Sequence, residues 1–164
     1  ELFLRDWRFS PRTRPWADHT QFASVTADEF ADIEREAAGQ PLEHSHTARV
    51  DLNRRFPEQT QDASAFAACT IHCDEPRQAR LLVGGDDAIR VWLNGQIVIE
   101  SLALSAAQPD QHAAMIQLAS GTNSLIVEVS NALGAWAFFA RLEDLRGSAL
   151  YLTEQGRLEP VPAP

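Results

Sequence analysis

Short apolar segments separated by turn residues run along almost the whole chain. This spacing is typical of a β-sandwich or barrel, in which each strand buries one face. The segments predicted to be strands are 3–9, 48–52, 65–73, 79–83, 89–93, 96–100, 113–118, 124–130, 136–142 and 149–153. The pattern therefore predicts an all-β fold with many short strands.

The clearest local signal is the dipeptide Asn94-Gly95, which lies between two of these apolar segments. A two-residue Asn-Gly loop favours a hairpin, because both residues tolerate positive φ angles. The predicted pairing places Leu93 opposite Gln96 and Trp92 opposite Ile97.

Alternation in the segment 124–130 is equally regular. Leu125, Val127 and Val129 occupy every second position, and the period of a strand therefore puts these three side chains on one face. We expect that face to lie in the core.

One segment has the period of a helix instead. Thr26 and Glu29 match a capping box, and apolar residues then recur at helical spacing until Gly39. We expect one short helix of about three turns, inserted into a jelly-roll β-sandwich.

Charge narrows the classes of function. The 164 residues fit one domain, and 14 basic against 23 acidic side chains give a net charge of −9. Every cation is arginine, which excludes a lysine Schiff base and the lysine of a P-loop. An acidic chain without a cationic stripe is not expected to bind nucleic acid or an anionic membrane.

The ends of the chain have the character of a module. The sequence begins at Glu1 without a methionine and closes on an alternating proline segment. We expect a single domain over 1–158, followed by a linker-like tail over 159–164 and a neighbouring domain as a partner. Cys69 and Cys73 lie too far apart along one strand for a disulfide, so free thiols that serve packing are expected.

A family resemblance rests on an ordered set of motifs. The segment 81–98 contains Asp86-Asp87 and ends in Trp92 to Gly95, the segment 118–131 contains Gly121 to Asn123, and Trp136 to Arg141 follow. This arrangement resembles the galactose-binding-like jelly rolls, the sugar-binding domains of family 2 glycoside hydrolases and related accessory modules. The resemblance implies a non-catalytic carbohydrate-binding or accessory module of a larger bacterial protein that is secreted or otherwise extracytoplasmic.

The ligand site expected from these residues combines an aromatic ring with polar groups. Trp136 is the first candidate to stack on a sugar ring and Trp92 the second, with core packing as the alternative for both. Asp86, Asp87 and Arg141 would hydrogen-bond the sugar hydroxyls. A calcium ion at the two aspartates, or simple capping of their own turn, are the alternatives there.

Other polar clusters have simpler interpretations. His44 and His46 are expected to be solvated loop residues, and Arg49 with Arg54 and Arg55 a salt-bridging patch rather than a phosphate site. The usual catalytic motifs are missing from the sequence, so no enzymatic activity is predicted. The alternative to sugar binding is a structural module that packs against a neighbouring domain.

Overall fold

Strands dominate the computed structural model, which describes residues 2–59 and 61–161. The first half contains β1 (Asp6–Pro15), α1 (Ala27–Ala38), β2 (Glu43–His44), β3 (Val50–Asp51), α2 (Leu52–Arg55), β4 (Gln61–Cys73) and β5 (Arg77–Asp86). The second half contains β6 (Ala88–Leu93), β7 (Gln96–Ser101), β8 (His112–Leu118), β9 (Gly121–Leu133), β10 (Ala137–Glu143), β11 (Ala149–Leu152) and β12 (Leu158–Pro160).

These strands form two antiparallel sheets. The first has the order β2-β1-β4-β9-β6-β7, and the second has the order β12-β11-β10-β5-β8 with β3 added beside β10. The inward faces of the two sheets share one apolar core. The predicted all-β sandwich with a short helical insertion is therefore confirmed.

The predicted hairpin at Asn94-Gly95 and the predicted core face of 124–130 are confirmed at the level of single residues. Leu93 pairs with Gln96 and Trp92 with Ile97 across the predicted hairpin. Alternate residues of β9, from Leu125 to Val129, lie in the main core. The intervening Glu128 is also buried, because the outer face of this sheet is covered as well.

Helix α1 provides that cover. Thr26 caps it by accepting a hydrogen bond from the backbone N–H of Glu29, as the capping box predicts. Its apolar stripe puts Ile33 in a second cluster with Phe66 and Trp92, on the outer face of the first sheet. The sheet is therefore apolar on both faces where the helix lies.

Three details differ from the sequence-based expectation. Strand β1 begins at Asp6 rather than at residue 3 and continues to Pro15 rather than ending at residue 9, and the indoles of Trp7 and Trp16 are both buried. Glu159 and Pro160, assigned to the tail, pair with β11 in strand β12. An edge strand tolerates proline because one side of its ladder is unpaired.

Residues 162–164 of the predicted tail lie outside the described residues. The two cysteines are free and buried, as expected. Desolvation raises the pKa of the Cys69 thiol to about 12, which suits a packing role.

Candidate functional site

Trp136 does not present a face to solvent. Its side chain is 0% exposed, its ring packs 5.7 Å from that of Phe56, and its indole N–H donates to the backbone oxygen of Val129 at 3.0 Å. No face of the indole is left for a sugar ring. The stacking role predicted for Trp136 is therefore corrected to core packing.

Trp92 is covered from the outside of the first sheet. Its ring lies 5.4 Å from the ring of Phe30 in α1, and the Arg90 guanidinium sits 4.6 Å from it in a cation–π contact. The helix that sequence analysis placed in the fold, but not over this sheet, occupies the face that a ligand would need. Packing is again the role that the contacts support.

Arg141 is committed to other protein groups. Its Nε and Nη2 donate to the two carboxylate oxygens of Asp110 at 2.8 and 3.0 Å, and its Nη1 donates to Glu143 at 3.0 Å. Such a bidentate pair uses the donors that a sugar hydroxyl would need. The sugar contact predicted for Arg141 is corrected to an ion pair that holds the 102–111 loop on the second sheet.

Asp86 and Asp87 lie next to Trp136, since Ala137 pairs with Asp86 in the sheet. Asp86 is buried, and Asp87 accepts a hydrogen bond from the backbone N–H of Ala132 at 2.9 Å. Burial, and then the neighbouring carboxylate of Asp87, raise the pKa of Asp86 to about 6. Asp87 thus contacts β9 and Asp86 pairs with β10, and only 7% of Asp86 is exposed to a ligand.

The predicted site residues are thus only partly brought together. Trp136, Asp86 and Asp87 meet at one end of the second sheet, whereas Arg141 lies four residues further along β10 and Trp92 belongs to the other sheet. Within the described ranges no group of three or more His, Cys, Asp or Glu is placed to hold a metal ion. The calcium alternative therefore stays a prediction that would depend on backbone oxygens.

A larger concave site lies elsewhere, where the chain crosses from one sheet to the other. β2 is the edge of the first sheet and β3 pairs with the second, so the segment 43–55 joins the two edges. It borders a groove of about 480 Å³, which we call the crossover groove. Its lining consists of Arg5, Phe9, Glu43, His44, Ser45, His46, Thr47, Arg49, Val50, Asp51, Arg54 and Arg55.

Short hydrogen bonds fix the loop at the mouth of the groove. The Ser45 hydroxyl donates to the backbone oxygen of Thr47 at 2.7 Å, and the Thr47 hydroxyl donates to the backbone oxygen of Arg49 at 2.8 Å. The backbone N–H of Ser45 donates to the backbone oxygen of Arg5, just before β1, at 2.8 Å. These bonds connect the loop to its own backbone and to the start of β1.

Helix α2, at the other side of the groove, is fixed by the region around Trp136. Asp51 caps it through the N–H of Arg54, and the Leu52 N–H donates to the backbone oxygen of Trp136 at 2.8 Å. The Asn53 side chain accepts a hydrogen bond from the backbone N–H of Trp136 at 2.7 Å and donates one to the backbone oxygen of Gly134 at 3.0 Å. Trp136 therefore contributes to the groove as a support.

The charges of the groove differ from those of the whole molecule. Four arginines line it against two carboxylates, in a chain of net charge −9. Arg55 donates to Glu43 at 2.9 Å, which confirms one salt bridge of the expected patch. Arg49 and Arg54 have no hydrogen bond or ion pair from their guanidinium groups to the rest of residues 2–59 and 61–161.

These arginines and histidines are evident in the sequence, but the groove is not. The signal was the density of cations between 44 and 55 in a strongly acidic chain. The sequence does not show that this segment crosses from one sheet to the other, because the crossing depends on pairing with the distant strands β1 and β10.

Comparisons with known proteins indicate the fold of this chain but assign it to no family. No protein-family model and no curated sequence matches the chain. Among solved structures, the chain is similar to an anti-sigma factor domain-containing protein from Clostridium clariflavum, with a TM-score of 0.51, 13% identity, and 76% of this chain and 42% of that chain covered.

Weaker similarities concern smaller proteins. A PA14 sugar-binding domain from an RTX adhesin has a TM-score of 0.47 at 15% identity, over 90% of this chain and 72% of that chain. A family 35 carbohydrate binding module from Clostridium thermocellum has a TM-score of 0.34 at 15% identity, over 48% of this chain and 68% of that chain.

Identities this low indicate shared architecture alone. The chain also spans only about two fifths of the length of the anti-sigma factor domain-containing proteins that it matches, 41% and 42%. Among the described residues, no helix has both the length and the apolar character that crossing a membrane requires. The fold that this chain shares with the structure from C. clariflavum is the two-sheet β-sandwich.

Proposed function

We propose that this protein is a non-catalytic carbohydrate-binding module and that the crossover groove is its binding site. The observation that carries the proposal is the groove itself, an open cleft of about 480 Å³ whose lining is mainly polar. A cleft of this volume is within the range of small-molecule sites, which are about 300 to 1,000 Å³.

The lining has the groups that a polyhydroxyl ligand requires. Arginine guanidiniums are donors in a fixed fork, and carboxylates and backbone oxygens are acceptors, so pairs of vicinal hydroxyls can be bound from both sides. Phe9 and Val50, the apolar members of the lining, are only 5% and 3% exposed, so binding would depend mainly on these polar groups. The motifs that resemble galactose-binding-like jelly rolls support the same ligand class.

The contacts of Glu43 and Asp51, the two acidic residues of the groove, favour ligand binding over catalysis. Glu43 is paired with Arg55, and the Asp51 side chain caps α2 through the Arg54 N–H. A glycoside hydrolase requires two carboxyl groups flanking the scissile bond, one protonated and one free to act as base or nucleophile. Both acids of the groove have structural partners instead, so we assign it no hydrolytic role.

The accessory role in a larger bacterial protein and an extracytoplasmic location are parts of the same proposal. They follow from the ligand class, because polysaccharides are met mainly outside the cytoplasm. A module of this kind would raise the local concentration of a linked domain on its polymer, with an avidity set by the linker.

The test begins with a glycan array on the whole chain, followed by calorimetric titration of the strongest saccharide. Removing both free guanidiniums in an Arg49→Ala/Arg54→Ala double variant is expected to weaken binding at least tenfold, since charged hydrogen-bond donors to the ligand are lost. Arg146→Ala is the matched control, because Arg146 is exposed and does not line the groove.

Two outcomes would overturn the proposal. Binding that the double variant leaves unchanged would place the site elsewhere. A folded protein that binds nothing on the array would favour the structural module that packs against a neighbouring domain.

A further inference from the structure

We infer that the crossover groove selects saccharides that carry an anionic group, a carboxylate or a sulfate ester, over neutral ones. This inference rests on the proposed function and specifies its ligand. It is carried by the balance of charge in the groove and by which of its arginines have partners.

The groove collects cations in a molecule that has few of them. Four of the 14 arginines line it, whereas only two of the 23 acidic residues do. The formal charge of the lining is therefore positive although that of the whole molecule is negative. A cleft concentrates the field of such charges on whatever enters it.

Two of the four arginines already have structural tasks. Arg55 donates to Glu43, and its guanidinium lies over the ring of Phe56 at 5.2 Å. Arg5 donates from Nη1 to the backbone oxygen of His46 at 3.2 Å. These two residues shape the groove and have less to offer a ligand.

Arg49 and Arg54 are the available pair. Within the described part of the chain, neither guanidinium makes a hydrogen bond or an ion pair. Their backbones are nevertheless fixed, Arg49 by the Thr47 hydroxyl that donates to its carbonyl and Arg54 by the cap of α2. Fixed backbones with unpaired planar forks suit a carboxylate or a sulfate, which both accept two parallel N–H bonds.

The carboxyl group of Asp86 lies within electrostatic range of Arg49. The positive charge of Arg49 lowers the pKa of Asp86, although burial and Asp87 raise that pKa more. The lining acids Glu43 and Asp51 are held by Arg55 and by the α2 cap. An anionic ligand would therefore meet Arg49 and Arg54 without displacing a carboxylate that is hydrogen-bonded to either guanidinium.

The net charge of −9 restricts this selectivity. A long polyanion would extend over acidic surface beyond the groove and be repelled there. The expected ligand is thus a saccharide with one or a few anionic groups, rather than a densely charged polymer.

The experiment compares trigalacturonate with the matched neutral galactotriose by calorimetry on the whole chain. Galactose 6-sulfate and inorganic sulfate serve as further probes, which separate a sulfated sugar from a free anion. The acidic trisaccharide is expected to bind about tenfold more tightly than the neutral one, since one charge-assisted contact is worth about that factor.

The variant Arg49→Gln/Arg54→Gln keeps hydrogen-bonding side chains but removes both charges. It is expected to bring the acidic-to-neutral ratio close to one while the affinity for galactotriose changes less than about threefold. Arg146→Gln should keep the full ratio. Thermal unfolding of all three proteins checks that the exchanges leave the fold intact.

Each remaining outcome has a definite meaning. Equal binding of both trisaccharides, lost together in the groove variant, would overturn the charge selectivity and leave the proposed function standing. Binding of neither trisaccharide, with only neutral saccharides of other classes bound on the array, would likewise overturn only the selectivity. Tight binding of inorganic sulfate without any saccharide preference would overturn both.

Discussion

Asp86 shows how a single buried carboxyl can set the pH dependence of the fold. Its pKa is raised to about 6, first by burial and then by Asp87, whereas an unfolded aspartate has its ordinary value of 3.8. The folded protein therefore holds this proton more tightly. The contribution of Asp86 to the free energy of unfolding is greatest below about pH 4, falls as the pH rises towards 6, and carries the full penalty above that.

Replacing Asp86 by asparagine is expected to remove this penalty. Asp86→Asn should raise the free energy of unfolding at pH 7.5 by about 1 to 3 kcal/mol, since each pKa unit is worth about 1.4 kcal/mol. Urea unfolding at pH 5.0 and 7.5 measures both the gain and the flatter pH profile. Glu154→Gln, at an exposed position, is the control.

The same loss of stability with pH in Asp86→Asn and wild type would contradict this account of Asp86. So would a variant that is less stable than wild type at pH 7.5.

From the sequence, the chemical character of a single position could be predicted, but its burial and its contacts could not. Trp136 was the first candidate for the site because tryptophan stacks on sugars. Its neighbours along the chain do not show that Phe56 and Val129 contact it in the fold. Arg49 was noticed as a cation but assigned to a salt bridge, because a partner cannot be assigned without knowing which strands meet. Burial and pairing are properties of tertiary contacts, which a single sequence does not contain.

Helix α1 illustrates how an element can change the character of a sheet. Its Ile33 is 0% exposed, and it packs with Phe66, Trp92 and Ile126 on the outside of the first sheet. Next to this cluster lies the Arg90–Glu128 ion pair, with Nη2 of Arg90 2.7 Å from the carboxylate and also donating to the backbone oxygen of Ala23, before the helix. Because burial raises the pKa of Glu128 while Arg90 opposes that rise, the pair depends on staying together.

Truncating Ile33 measures how firmly the helix is docked. Ile33→Ala is expected to lower the free energy of unfolding by about 2 to 5 kcal/mol, the usual cost of emptying a buried isoleucine site. Ile97→Ala is the matched control, since Ile97 is 49% exposed and should cost well under 1 kcal/mol. Urea titration of both variants gives the comparison, and equal small losses would mean that α1 is not docked on the sheet.

Elements with a regular period were predictable. The Asn94-Gly95 hairpin, the alternation in β9 and the capping box of α1 are each specified by a few adjacent residues, so their predictions are confirmed. The strands β2 and β12 were missed because two or three residues show no period. Their position depends on pairing with β1 and β11 rather than on local preference.

At the scale of the molecule, the sandwich creates the candidate site where the chain changes sheets. The crossing segment 43–55 carries three of the four arginines of the groove, so a run of cations that the sequence leaves unexplained lines one cleft. The fold itself is shared with a much longer protein at 13% identity, which indicates a common architecture alone. Function therefore has to be tested at the groove.

The most direct test of the central claim is NMR mapping of the groove during a titration with the strongest saccharide from the array. Backbone amides over 43–55 and the Nε–H groups of Arg49 and Arg54 are expected to shift together and to saturate with one affinity. Amides around the Asn94-Gly95 turn, far along the other sheet edge, should stay in place. Shifts that cluster outside the groove, with residues 43–55 unmoved, would contradict the account.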